Sequence, residues 1–207
     1  QQRGWHPTST IGTLAAAGAC AKLLGFDEAQ TRKALGMAAS GAAGLSQNFG
    51  TDTKPIHAGN AAANAIQSVM LIGAGMSANP SIMDSATGLS NLLSGKECPA
   101  GVMMRPGDGL DLVNQYAVKP YPSCGLTHRC IEALLTLMNA HRFAASDVTS
   151  ITCHVPPVFK KLMPYPRPET NLQAKFSLEY CIAVTLLEGD VTLRQFDEAH
   201  LRSESIK

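Results

Sequence analysis

Between Thr10 and Gly75 the chain is a succession of Ala- and Gly-rich stretches, and this abundance of small side chains is what most restricts its fold. Helices whose contact faces carry Ala and Gly approach one another closely, which suits a compact all-α packing. The end signals agree with helices. Thr10 is expected to cap a helix running to Leu24 and stopped by Gly25, and Asp27-x-x-Gln30 has the spacing of a capping box for a second helix to about Ser40. Gly41 to Asp52 reads as a Gly/Ser/Asn loop. Pro55 suits the first turn of a long helix to about Gly73, and Asn79-Pro80 is expected to start another, shorter one.

Gly95 to Gly109 holds enough Gly and Pro to break regular structure, which places a domain division between residues 1–108 and 109–207. Beyond it the pattern changes. Val118 to Pro122 is held extended by two prolines, and Leu126 to Ala140 repeats apolar residues at helical spacing. Ile151, Cys153 and Val155 alternate with Thr152 and His154, as in a half-buried strand, and Ala174 to Glu188 reads as a helix stopped by Gly189. The expected fold class is mainly α: an all-helical domain followed by a smaller α+β domain.

Lys and Arg number 17 against 16 Asp and Glu, a formal charge of +1, which excludes a nucleic-acid or membrane-surface binder relying on basic excess. Charged residues are 16% of the chain, against about 25% in soluble domains, which implies that a partner or another chain covers part of the surface. No apolar run approaches the ~18 residues of a membrane span, and no leader pattern opens the chain, so the expectation is a soluble, cytoplasmic protein. The six cysteines form no C-x-x-C pair and read as reduced, buried thiols rather than metal ligands.

Gly73-x-Gly75-x-x-Ala78 formally matches the dinucleotide fingerprint. That motif needs a strand before it, whereas here a helix precedes, so the glycines read as a helix C-terminus. More informative is the long helix, where Lys54, His57, Asn60, Asn64 and Gln67 fall on one face with the cationic groups at the N-terminal end. Such a face is either solvated or the wall of an anion pocket, and its lack of any acid fits the pocket better. A second basic cluster runs from Lys119-Pro120-Tyr121-Pro122 to Thr127-His128, braced by prolines or simply a surface loop. His6 precedes a helix start, and Tyr180 lies in an apolar helix where a core tyrosine is the plainer reading. No nucleophile elbow, phosphate loop, paired carboxylates or H-E-x-x-H motif is present. Cationic and neutral groups without an acid suit a small polycarboxylate, with His, Tyr or Lys moving a proton beside a carboxyl group.

Four segments in order, GWHPTSTIGTLAAAGACAKLLGFDEAQTRKALGMAAS, TKPIHAGNAA, KPYPSCGLTH and AKFSLEYCIAVTLLEG, resemble the MmgE/PrpD family. The resemblance implies a large helical domain joined to a smaller α+β domain, a homodimer, and chemistry without a cofactor in a cleft between the domains. It assigns catalytic roles to His6, Lys54, Lys119 and Tyr180, and substrate-binding roles to His57 and His128. Trp5 stands where the family usually has Phe, a change that removes no functional group. Family chains are about twice this length, so the chain is expected to be a central fragment with both domains incomplete. The implied function is that of a lyase or isomerase acting on a di- or tricarboxylic acid, 2-methylcitrate dehydratase-like by preference; the competing expectation is a truncated member that serves only folding or assembly.

Overall fold

The computed structural model describes residues 3–83, 85–95, 117–203 and 206. They divide into two compact units, the first formed by residues up to 48 and from 53 to 95, the second by residues 49–52 and those from 117 onward. The division expected at residues 108 and 109 lies outside the described residues.

In the first unit α1 spans Pro7–Leu23, α2 Glu28–Ser40, α3 Thr53–Gly73 and α4 Leu89–Ser94. Helix α1 begins earlier than expected. Pro7 occupies its first turn, which suits the fixed φ of proline, and His6 is the N-cap residue. Thr10 is therefore inside the helix, its hydroxyl donating to the His6 carbonyl at 3.2 Å. At the other end Gly25, at φ 70°, lets the Gly25 N–H reach the Lys22 carbonyl and the Phe26 N–H reach that of Ala21, the paired bonds of a Schellman motif. Gly75 ends α3 in the same way, with Gly75 N–H on Ile72 and Met76 N–H on Leu71. The glycines of the apparent dinucleotide fingerprint are thus a helix stop. Asp27 and Gln30 exchange both capping-box bonds at the start of α2. Asn79 caps no helix: its side-chain oxygen accepts the Ser81 N–H at 2.9 Å, closing a turn that competes with helix, and α4 starts only after Gly88.

Leu14, Ala17, Ala21, Ala34, Ala38, Ala39, Ala42, Ala65, Val69, Ile72 and Leu89 form the core of this unit. Alanine supplies most of that contact, so neighbouring backbones come close and leave little room for added atoms. Contacts run from His6 on His57, past Gly12 facing Ala61, to Phe26 against Gly73. Helices α1 and α3 therefore lie side by side and point the same way, with their N-termini at one end.

In the second unit α5 spans His128–His141, α6 Val158–Leu162, α7 Asn171–Ala174, α8 Leu178–Glu188 and α9 Glu198–Leu201. Its core is Ile131, Ala174, Tyr180, Cys181, Val184, Val191 and Phe196, between α5, α8 and the chain after them. The single helix expected from Ala174 is interrupted. Ser177 leaves the helical path to cap α8, accepting the Tyr180 N–H at 3.1 Å, and Gly189 at φ 69° stops it. Residues 49–52 join this unit because the Tyr165 hydroxyl donates to the Phe49 carbonyl at 2.7 Å and Phe49 packs on the Phe176 ring. Ile151 to Val155 is not a strand. Among the described residues no β-ladder forms, and the pairing observed is an isolated antiparallel bridge between Trp5 and Leu45. An alternating segment becomes a strand only when a neighbour takes up its N–H and C=O groups, and no described residue does so here. The protein is mainly α, and among the described residues the smaller unit shows no β part. Nor are the cysteines uniformly buried: Cys181 is, while Cys20, Cys124, Cys130 and Cys153 are half-buried free thiols, and Cys98 lies outside the described residues. Among the described residues no helix is long and apolar enough to cross a membrane.

The packing predicts opposite outcomes for one substitution. A Cβ added at Gly18 in α1 meets nothing within 4 Å, whereas at Gly36 in α2 it collides with the Asn79 carbonyl. In urea unfolding Gly18→Ala should stabilise by about 0.4–1 kcal/mol, and Gly36→Ala should destabilise by about 1–3 kcal/mol despite alanine's helix propensity; shifts of the same sign would contradict the packing.

Candidate active site

His6 and His57 meet in the first unit. Their Nδ1 atoms are 2.9 Å apart, and both rings are buried. The backbone of His6 is fixed on both sides: its N–H donates to the Gly44 carbonyl at 3.0 Å, and its carbonyl accepts from the N–H groups of Ser9 and Thr10. His57 lies in the second turn of α3, one turn beyond Lys54. The 41–46 loop closes over the pair. Ser9 donates its hydroxyl to the Ala43 carbonyl, Asn64 donates to that of Gly41 at 3.1 Å, and Ser46 is tied to Gly4. Gly44 sits at φ 141°, and a Cβ there would come within 2.6 Å of the Ser9 Cβ and 3.4 Å of the His57 Cδ2. Only glycine tolerates both the backbone angle and the approach.

Two nitrogens 2.9 Å apart share one hydrogen, so one Nδ1 donates and the other accepts. Burial, then the neighbouring His57, then the positive charge of Lys54 hold His6 below the usual imidazole range. His6 is consequently a neutral ring at pH 7, able to act as a base. Because α1 and α3 start at the same end, two sets of N-terminal peptide dipoles direct partial positive charge toward this site. With Lys54 they favour an anion. The polar face expected along α3 divides: His57 is buried, Lys54 and Asn64 are half-buried, and Asn60 and Gln67 are exposed.

The second unit holds Lys119, His128 and Tyr180 but does not gather all three. Lys119 donates to the Ser123 carbonyl at 3.1 Å and lines an open cavity of about 580 Å³ together with Tyr121, Asp190 and Arg194. The Tyr121 hydroxyl donates to the Glu132 carboxylate, which pushes the phenol up to about 12, and its ring meets His128 edge-on. Burial is the main reason that His128 is held below its ordinary value, although its bond to the Ser123 backbone opposes the shift. The His128 Nε2 is buried and has no hydrogen-bond partner. Glu132 and Arg194 were not singled out by sequence. The signal for Glu132 was its place four residues after His128 on one helix face; Arg194, in a short 3₁₀ turn, had none.

Tyr180 is a core residue of this unit. Its hydroxyl donates to the Gln195 carbonyl, its ring packs against Phe196, and burial pushes the phenol up to about 12. It borders a separate cavity with Pro166, Arg167 and Leu201. Among the described residues no group of three or more His, Cys, Asp or Glu side chains is arranged to hold a metal ion.

The profile of the MmgE/PrpD N-terminal domain matches residues 1–100, and that of the MmgE/PrpD C-terminal domain matches residues 121–207. Cis-aconitate decarboxylase from Mus musculus is 28% identical over 214 residues, covering 98% of this chain and 42% of its own length. The Homo sapiens cis-aconitate decarboxylase is 27% identical, covering 98% and 43%. A cis-aconitate decarboxylase-like protein of Aspergillus oryzae is 30% identical, covering 99% and 45%. The chain thus spans less than half the length of these curated relatives.

Two outcomes follow from the side-chain environments. Since His6 and His128 are harder to protonate folded than unfolded, the unfolded chain takes up more protons once the pH falls below about 6.5. Stability measured by urea unfolding should fall between pH 7.5 and 5.5, and His6→Gln should flatten that slope. Tyr180→Phe leaves the Gln195 carbonyl without its donor and should cost about 1–3 kcal/mol; a neutral substitution would free the phenol from the structural role seen here.

Proposed function

Because the chain belongs to the MmgE/PrpD family, we propose that the protein of which it forms part is a cofactor-independent lyase acting on a small polycarboxylic acid. Cis-aconitate is the favoured substrate, since the relatives named above are cis-aconitate decarboxylases or like them. Nothing comparable supports the 2-methylcitrate preference of the sequence analysis. The observation that carries the reading is the buried, neutral His6 ring paired with His57 beside the Lys54 charge.

In this reading Lys54 and Lys119 each offer an ammonium to a substrate carboxylate, and His57 and His128 belong to the binding surface. Decarboxylation breaks a C–C bond and leaves its electron pair on carbon, where an adjacent carboxyl group spreads it as an enolate-like charge. Dehydration reaches a similar state by removing the α proton. Lys54 and the two helix N-termini stabilise that charge. His6 moves the proton: neutral, it is a base near pH 7, and once protonated its depressed affinity makes it a strong donor. Tyr180 is the second proton carrier that the family motif offers, but its hydroxyl is engaged by Gln195 and raised in pKa, so His6 is preferred. Assembly as a homodimer belongs to the same reading and is supported by Ile56, Ile66 and Met70, which lie exposed along one face of α3.

The test is incubation with cis-aconitate, 2-methylcitrate or iminodisuccinate in deuterated water, following label in substrate and product by NMR. Lys54→Ala should lower turnover about 10²- to 10³-fold. Undiminished turnover in that variant removes the lysine's role, and a folded wild-type chain that exchanges nothing favours a piece that serves only folding or assembly.

A further inference from the structure

We propose that His57 is a positioning residue for His6: its Nδ1 accepts the hydrogen bond of the His6 Nδ1–H, which holds His6 in the tautomer whose Nε2 carries the proton-accepting lone pair. The inference rests on the lyase reading above and replaces the substrate-binding role given there to His57 with one that acts through His6. Three observations carry it. The Nδ1 atoms are 2.9 Å apart in a buried setting. The main chain of His6 is bonded at both its N–H and its carbonyl, so the ring is anchored at its base. The main chain of His57 is tied to α1 as well, its carbonyl accepting from the Ser9 hydroxyl at 3.4 Å.

A free neutral imidazole prefers its hydrogen on Nε2. An unassisted His6 would therefore carry an N–H at Nε2 and could not take a proton there. An acceptor at Nδ1 reverses that preference, a task that a backbone carbonyl or a carboxylate commonly performs. Here a second imidazole does it, itself in the ordinary Nε2–H form. In the proton-removing direction, the C–H bond α to a carboxylate breaks, the proton goes to the His6 Nε2, and the electron pair stays on carbon and spreads into the carboxyl group. His6 becomes an imidazolium whose Nδ1–H still points at the His57 Nδ1. Return of the proton from Nε2 to carbon restores the starting pair. Burial, then His57, then the Lys54 ammonium oppose protonation of His6 in the resting state.

The chain labelled with ¹⁵N-histidine tests this through long-range ring correlations at pH 7.5. Wild-type His6 should show a protonated Nδ1 and an unprotonated Nε2. His57→Phe should return His6 to a mixture dominated by Nε2–H, and His57→Asn, whose amide oxygen can stand near the Nδ1 position, should restore Nδ1–H. A wild-type His6 in the Nε2–H form, or a tautomer indifferent to His57→Phe, overturns the proposal; if His57→Phe fails to fold, the wild-type spectrum still decides. With cis-aconitate, His57→Phe should lower kcat about 10²-fold or more with KM changed less than about twofold, and His57→Asn should recover most of it. Equal losses in both variants, or a change confined to KM, also overturn it. A wild-type chain without turnover sinks the lyase reading alone, because the ring spectra judge the positioning role separately.

Discussion

Small side chains between α1, α2 and α3 are the constraint from which the rest of the first unit follows. With Ala17, Ala21, Ala38 and Ala65 in the core and Gly12 facing Ala61, α1 and α3 lie close enough for residues at their N-terminal ends to touch. His6 and His57 are 51 positions apart in the chain, and their contact is a product of that packing. Larger residues along the seam would hold the backbones apart and part the rings, although no functional atom had changed. The same closeness explains why Gly44 is demanded at the mouth of the pair, where backbone angle and space both exclude a side chain.

Local signals in the sequence were legible where they are short and self-contained. The capping box of Asp27 and Gln30, the stops at Gly25, Gly75 and Gly189, and Pro55 in the first turn of α3 all act within a few residues. Errors arose where two local signals compete. Thr10 is a good cap by type, but Pro7 already satisfies the first turn and moves the start back to His6. Asn79 spends its side chain on a turn instead of a helix, and Ser177, hidden within a long apolar run, leaves that run to cap α8. The alternation of Ile151 to Val155 describes which faces a strand would show. It does not supply the partner that makes a strand, and that information is not local.

The candidate site divides along similar lines. Residue types announced themselves: cationic and imidazole groups gathered in a few motifs. Their pairings did not. Periodicity placed His57 on a face with Asn60 and Gln67, yet the fold turns it inward onto His6 and leaves those two in solvent. Tyr121, within the proline-braced second cluster, engages Glu132, while Tyr180 is occupied with a backbone carbonyl. Such partnerships depend on side-chain reach across elements, which spacing along one element cannot reveal.

The partner seen on the His6 ring is an imidazole, and that has a physical consequence. A carboxylate on the His57 or His6 ring would orient it equally well, but would raise its pKa and offset the charge of Lys54. An imidazole partner orients without adding negative charge. Burial, His57 and Lys54 then keep His6 neutral, and the helix N-termini contribute partial positive charge. The cost is a buried polar pair that favours one protonation state and loses stability in acid. For the polycarboxylate ligand proposed above that cost is well placed, since an acid built into the site would repel carboxylates whereas a neutral ring does not.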